Sequence, residues 1–125
     1  MTKKDVEVFD KLYIQIRGLH EEISIISKKS PNDALNKFKL KFINQILSDA
    51  NVILAAKHKP FDDFTIFSED DMPTNSDAVM VLTQYISCLE KYKFDNIEML
   101  SGYWHWKTKS GEQIKTTRPS SKFTF

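Results

Sequence analysis

Apolar residues recur at helical spacing through three stretches of this chain, and they alternate with period two only past Gly102. In the first stretch Phe9, Leu12, Ile16, Leu19, Ile23 and Ile26 follow one another at intervals of 3, 4, 3, 4 and 3. That rhythm lays one seam of a helix against its neighbours. Thr2 or Asp5 can cap the start, and lysines followed by Pro31 suit the end, so the spacing predicts a helix over 3–29. Two and a half heptads fall short of a free coiled coil, which favours a bundle helix. Off the seam, Ile14 and Ile25 are also apolar. They predict a second, partner-binding face on this helix.

From Asn32 to Lys59 the chain has neither glycine nor proline. Ser30–Pro31 reads as a cap with proline at the first helical position, which predicts a second helix over 31–57. Leu35, Phe38, Phe42 and Ile46 trace one stripe of it, and Ile43, Leu47, Ala50 and Leu54 trace its neighbour. The run KFKLKF alternates, but six residues do not outweigh a long helical pattern. Residues 58–75 then break the period. A connection this long is uncommon in a compact domain, so Phe61, Phe64, Ile66 and Phe67 are expected to pin it to the core, with a short helical turn after Pro60 and an exposed acidic end.

A third helix is expected over 76–100, capped by Asn75 or Ser76. Ala78, Leu82, Tyr85, Leu89, Tyr92, Asn96 and Met99 repeat at 4, 3, 4, 3, 4 and 3, although KFDNIE can break the helix near Asp95. Gly102 suits the left-handed position past its end. Tyr103–Thr108 and Gln113–Arg118 read as two strands turning at Ser110–Gly111, a hairpin over 103–118 with a tail at 119–125. This register pairs Trp106 with Lys115 and Trp104 with Thr117. Both tryptophans then share one face, and Tyr103, His105 and Lys107 the other. A lone hairpin is marginal in water, so burial of at least one indole against the helices is expected. The fold expected is mainly α: one domain of three long helices in an antiparallel bundle with a carboxyl-terminal β-hairpin.

Composition narrows the function only a little. The chain has 125 residues, a net charge of +1 and one cysteine, Cys88, which excludes an internal disulfide and fits a cytoplasmic setting. The amino end has no apolar signal-like run, and no stretch is apolar for the ~18–20 residues of a membrane span, so no membrane partner is expected. The charges are segregated. Lys28 to Lys41 is basic, Asp62 to Asp77 acidic, and Lys107 to Lys122 basic again. Such segregation can orient a partner or a second copy.

Candidate chemistry is sparse. His20, His58 and His105 have no second histidine at ligand spacing, the carboxylates of FDDF and SEDDMP follow no known ligand pattern, and three glycines leave no phosphate-binding loop. Neither catalytic residues, metal nor cofactor is expected. Arg17 to His20, RGLH, resembles the arginine–histidine signature of HEPN ribonucleases in a shorter spacing. The activity is not carried over from it.

Two function classes follow. The first is a non-enzymatic adaptor, a subunit of a larger intracellular assembly, that meets itself as a homodimer or another helical protein through Ile14 and Ile25. The alternative is an accessory protein that binds nucleic acid non-specifically. Lys37, Lys39 and Lys41 with Tyr103, His105, Lys107, Lys109, Lys115 and Arg118 would carry it, aromatics stacking on bases and cations following phosphates. A basic hairpin after a helix also resembles the wing of a winged helix. Only Arg17 and Arg118 are arginines among the 18 basic residues, which argues against base-specific readout.

Overall fold

The structure is a computed structural model that describes residues 1–123. Three helices, α1 (Lys3–Lys29), α2 (Lys37–His58) and α3 (Asn75–Asp95), carry most of it, followed by a three-stranded antiparallel sheet, β1 (Ile97–Leu100), β2 (Tyr103–Trp106) and β3 (Ile114–Lys115). The predicted mainly α bundle with a small carboxyl-terminal sheet is what is found.

Helix α1 has the predicted bounds. Thr2 caps it, its hydroxyl accepting from the Asp5 N–H while the Asp5 carboxylate accepts from the Thr2 N–H. Its seam is buried through Val6, Phe9, Leu12, Ile16 and Ile23. Helix α2 starts six residues later than predicted. Ser30–Pro31 opens a turn, and Asn36 is the cap, accepting from the N–H groups of Phe38 and Lys39. The residues between are stapled to the start of α3. Leu35 N–H donates to Pro73 O, Asn75 N–H to Asp33 O, and the buried Asn75 amide to Ser30 O. Six backbone and side-chain groups satisfied there outweigh another turn of helix.

The order of contacts fixes the helix directions. Going along α1, Phe9 meets Tyr92 and His20 meets Thr83, so α1 and α3 are antiparallel. Going along α2, Asn51 meets Tyr85 and His58 meets Asp95, so α2 and α3 run parallel. The connection 59–74 must therefore return along the whole of α2. Two asparagines at i, i+7 hold it. Asn44 accepts from the Phe67 N–H and donates to Phe67 O, both at 3.0 Å. Asn51 donates to Thr65 O at 2.9 Å and accepts from the Tyr85 hydroxyl at 2.7 Å. They supply side-chain partners for backbone groups at Thr65 and Phe67 in an irregular segment. Phe61, Phe64 and Phe67 pack edge to face against the core as expected. Ile66 does not, being 45% exposed, and the short helical turn lies at Glu69–Asp71 rather than after Pro60.

Near its end α2 kinks at Ala55, whose φ of 52° and ψ of −165° cost a non-glycine residue about 1–3 kcal/mol. Past the kink, His58 reaches Asp95 at 2.8 Å with its ring edge-on to Tyr92. Bonds from His58 and Lys91 hold the Asp95 carboxyl below its ordinary range.

Helix α3 ends at Asp95, so Asn96 and Met99 fall outside it and the 4/3 pattern overran by a turn. Residues 97–100 are instead strand β1. Ser101 and Gly102, at φ 52° and 82°, make the two-residue turn with both central residues left-handed that suits a hairpin. Gly102 thus serves a β-turn, not a helix end. The strand after Gly111 pairs one residue away from the predicted register, Trp106 with Ile114 and His105 with Lys115. The reason is the core face: Ile97, Trp106 and Ile114 form one row across the sheet, and Trp106 packs edge-on against Phe9 at 5.1 Å. A slip of one would put Lys115 in that row.

Trp106 is 2% exposed while Trp104 is only half-buried. Trp106→Ala is expected to cost about 3–5 kcal/mol in chemical denaturation, and Trp104→Ala about half that or less. Equal costs would contradict the packing. The Trp106 indole N–H meets no acceptor among the described residues, so Trp106→Phe should cost clearly less than the alanine change. For Asp95, a lowered folded pKa stabilises above the ordinary value of about 3.8. That contribution is lost as pH falls through the folded value. Melting from pH 7 down to pH 2.5 should show Asp95→Asn destabilising at pH 7 and the gap to wild type shrinking as pH falls below about 3.8.

Candidate functional site

A groove lies between α1 and α3. It holds two bays of about 660 and 680 Å³, and Glu90 lines both. The upper bay is closed by the segment after β3. There Lys93 donates to the Thr117 hydroxyl, Thr116 N–H donates to Trp104 O, and Pro119 is buried. Asp10, Tyr13, Lys93, Lys115 and Arg118 line it. Burial pushes the Asp10 carboxyl up and the Lys93 ammonium down, each partly offset by the other's charge. Burial likewise raises the Tyr13 phenol. Partial desolvation of opposite charges in one cleft marks a place suited to a charged ligand group.

The lower bay is lined by Arg17, His20, Glu21, Ile25, Lys28 and Lys122 among others. Lys122 spans the junction, donating to Ser87 and to Glu90 at 3.5 Å. Beyond it Phe123 packs on Phe94 with the Lys91 ammonium near both rings. Across both bays six cations, Arg17, Lys28, Lys93, Lys115, Arg118 and Lys122, face three acids, Asp10, Glu21 and Glu90. A chain of net charge +1 thus has a distinctly basic groove.

Ile14 and Ile25 both project outward, 71% and 56% exposed, and each lines a different bay. The Arg17–His20 pair is engaged in packing. The Thr83 hydroxyl donates to Val79 O, so the His20 Nε2–H must donate to Thr83, at 2.8 Å. Arg17 lies over the Tyr13 ring and donates to its hydroxyl. His20 thus ties α1 to α3, whereas the Arg17 contact stays within α1. Cys88 is half-buried, and burial raises its thiol pKa, against a nucleophile's needs. Among the described residues no three of His, Cys, Asp and Glu gather to hold a metal, and no helix is long and apolar enough to cross a membrane.

The residues named for nucleic acid do not form one surface. Lys37, Lys39 and Lys41 begin α2, whereas Tyr103, His105, Lys107, Lys109, Lys115 and Arg118 sit with the sheet beyond the far ends of α2 and α3. Twenty-two helical residues, roughly 33 Å, separate them. Lys37 pairs with Glu69 at 3.2 Å and Lys39 with Glu22 at 3.8 Å. His105 is 3% exposed, between Glu98 and Lys115 on the flanking strands, with Nδ1 2.9 Å from Tyr103 O. Its ring cannot stack on a base. Tyr103 is 60% exposed, with the Lys115 ammonium 4.3 Å from its ring centre.

Sequence reasoning missed the outer face of α2. Phe38 and Phe42 belong to one of its two apolar stripes, yet they are 70% and 47% exposed. The buried side is Leu40, Ile43, Ile46, Leu47, Ala50 and Leu54. Two overlapping stripes gave no means of choosing, but the clean 4, 3, 4 spacing of Ile43, Leu47, Ala50 and Leu54 was the better signal.

No family model, no curated protein and no solved structure matches this chain.

Asp10→Asn tests the desolvation in the upper bay. With a raised folded pKa, the charged carboxylate costs stability above that value, and the cost fades as pH falls below it. The variant should melt higher than wild type at pH 7, and the gap should close by pH 3. A variant less stable at pH 7 would mean that the attraction to Lys93 dominates.

Proposed function

We propose that this protein is a non-catalytic helical interaction module, a subunit of a larger intracellular assembly, which receives a segment of another protein along the α1–α3 groove. One observation carries the reading. Two bays that share Glu90 lie along the groove, and each is lined by one of the two most exposed apolar residues of α1, Ile14 and Ile25. Its surplus of cations suits an acidic amphipathic helix, whose apolar stripe would cover the two isoleucines. A single half-buried thiol accords with a reducing compartment such as the cytoplasm.

The second reading, non-specific nucleic-acid binding, draws on the sheet end alone. Exposed Tyr103 with Lys115 over it offers one stacking position, and exposed Lys107 and Arg118 add a few phosphate contacts. So few contacts give weak binding.

A photo-crosslinking residue at Glu21, beside Ile25, tests the first reading in the native cell. The expected result is a discrete protein adduct that disappears in Ile14→Asp/Ile25→Asp, with the circular dichroism unchanged because both sites are exposed. Adducts indifferent to that change would overturn the reading. For the alternative, DNA and RNA oligomers are expected to bind no tighter than roughly 10 µM at physiological salt. Tight binding that weakens steeply with salt would promote it.

A further inference from the structure

Helix α2 bears a second seam opposite its buried one. Phe38, Phe42, Gln45, Asp49 and Val52 follow at intervals of 4, 3, 4 and 3. Phe38 and Phe42 are the only exposed phenylalanines among the described residues, and Val52 is 82% exposed. The two rings touch edge to face at 4.9 Å, so the patch is already ordered. Exposed aromatics aligned along one helix face mark a contact surface.

We propose that this seam pairs with the same seam of a second copy, α2 against α2, antiparallel, about a twofold axis at Leu47. Facing positions then add up to 94. Phe42 meets the partner's Val52, a large residue against a smaller one. Gln45, whose amide donates to Asp49 of its own helix at 3.3 Å, meets the partner's Asp49, so the two amide–carboxylate pairs come together across the axis. Phe38 reaches the kinked end of the partner's helix, where Ala55 and Ala56 are small and exposed. Asp49 is the only acid on α2, and Lys41 lies one turn before Gln45, within reach of the partner's Asp49. A parallel pair would instead set Asp49 against Asp49, two like charges in the middle of an apolar seam. The adverse feature of the antiparallel pair is Lys37 facing the partner's Lys57. It is mild, because Lys37 is 86% exposed and already paired with Glu69.

The size of the patch sets the affinity. At roughly 200 Å² for a fully exposed phenylalanine, Phe38, Phe42 and Val52 offer about 300 Å² of apolar surface per copy. That is well under the ~800 Å² a side of a standard interface. The dimer should be weak, with a Kd on the order of 10–100 µM. This surface is separate from the α1–α3 groove, and neither inference depends on the other.

Sedimentation velocity from about 5 to 500 µM tests it. The expected result is a monomer–dimer equilibrium that is abolished by Phe38→Ser/Phe42→Ser and untouched by Ile14→Asp/Ile25→Asp. Asp49→Lys should weaken the dimer at least tenfold, and adding Lys41→Asp should restore it. That rescue distinguishes the antiparallel arrangement, since a parallel pair would merely exchange one like-charge contact for another. A monomer throughout the range, or a dimer indifferent to the phenylalanine changes in a protein with unchanged circular dichroism, would overturn the proposal. So would the absence of rescue.

Discussion

The rest of the structure depends on how Asn44 and Asn51 hold the chain between α2 and α3. A connection that runs back along a helix carries N–H and carbonyl groups that must find partners, or pay a penalty of about 1–3 kcal/mol each. The two asparagines supply them on one face of α2, and Tyr85, fully buried, completes the link by donating to Asn51. With the return path satisfied, α2 and α3 can run parallel. Three ends then meet at one place: the start of α1, the kinked end of α2 and the end of α3. There the Phe9, Tyr92 and Trp106 rings join the sheet to the helices. The same arrangement separates the two basic segments by the length of the bundle and leaves the α1–α3 groove open on its outer side.

Each helix has one face committed to the core, and what lies on the other faces bears on function. A helix needs nothing apolar on its solvent side. α1 nonetheless presents Ile14 and Ile25 there, and α2 presents Phe38, Phe42 and Val52. The two sets differ in character. Those of α1 stand apart, among charges and beside a basic groove, as a receiving surface for a charged partner would have them. Those of α2 lie along a single helical seam, with Gln45 and Asp49 between Phe42 and Val52. The sheet end is a third kind of surface, in which a single exposed tyrosine is already occupied by a lysine.

Much of the fold was legible in the sequence because helix periodicity and caps are local. The α1 seam, its Thr2–Asp5 cap and the break near Asp95 needed nothing beyond neighbouring residues. What was not legible depended on tertiary partners. Ser30–Pro31 offered a plausible cap, but the linker that follows it is bonded to Pro73 and Asn75, forty residues on. β1 was hidden because Asn96 and Met99 happen to continue a helical rhythm, and its pairing with β2 places Ile97 beside Trp106. The one-residue register error at Ile114 has the same origin, since turn chemistry alone favoured Ser110–Gly111. Of the candidate site, Ile14 and Ile25 were readable as apolar residues off a seam. The groove that joins them was not, because it needs α3 and the chain after β3 as walls.

The parallel course of α2 and α3 is the claim on which the separation of these surfaces rests, and pulsed electron spin resonance measures it directly. In a Cys88→Ala background, spin labels on Lys57→Cys and Lys91→Cys should lie far closer than labels on Lys37→Cys and Lys91→Cys. Twenty helical residues, about 30 Å, separate the two α2 positions along the axis, so with packed helices about 10 Å apart the two distances should differ by about 20 Å. If the Lys37 pair proves the shorter one, α2 and α3 are antiparallel and the account fails.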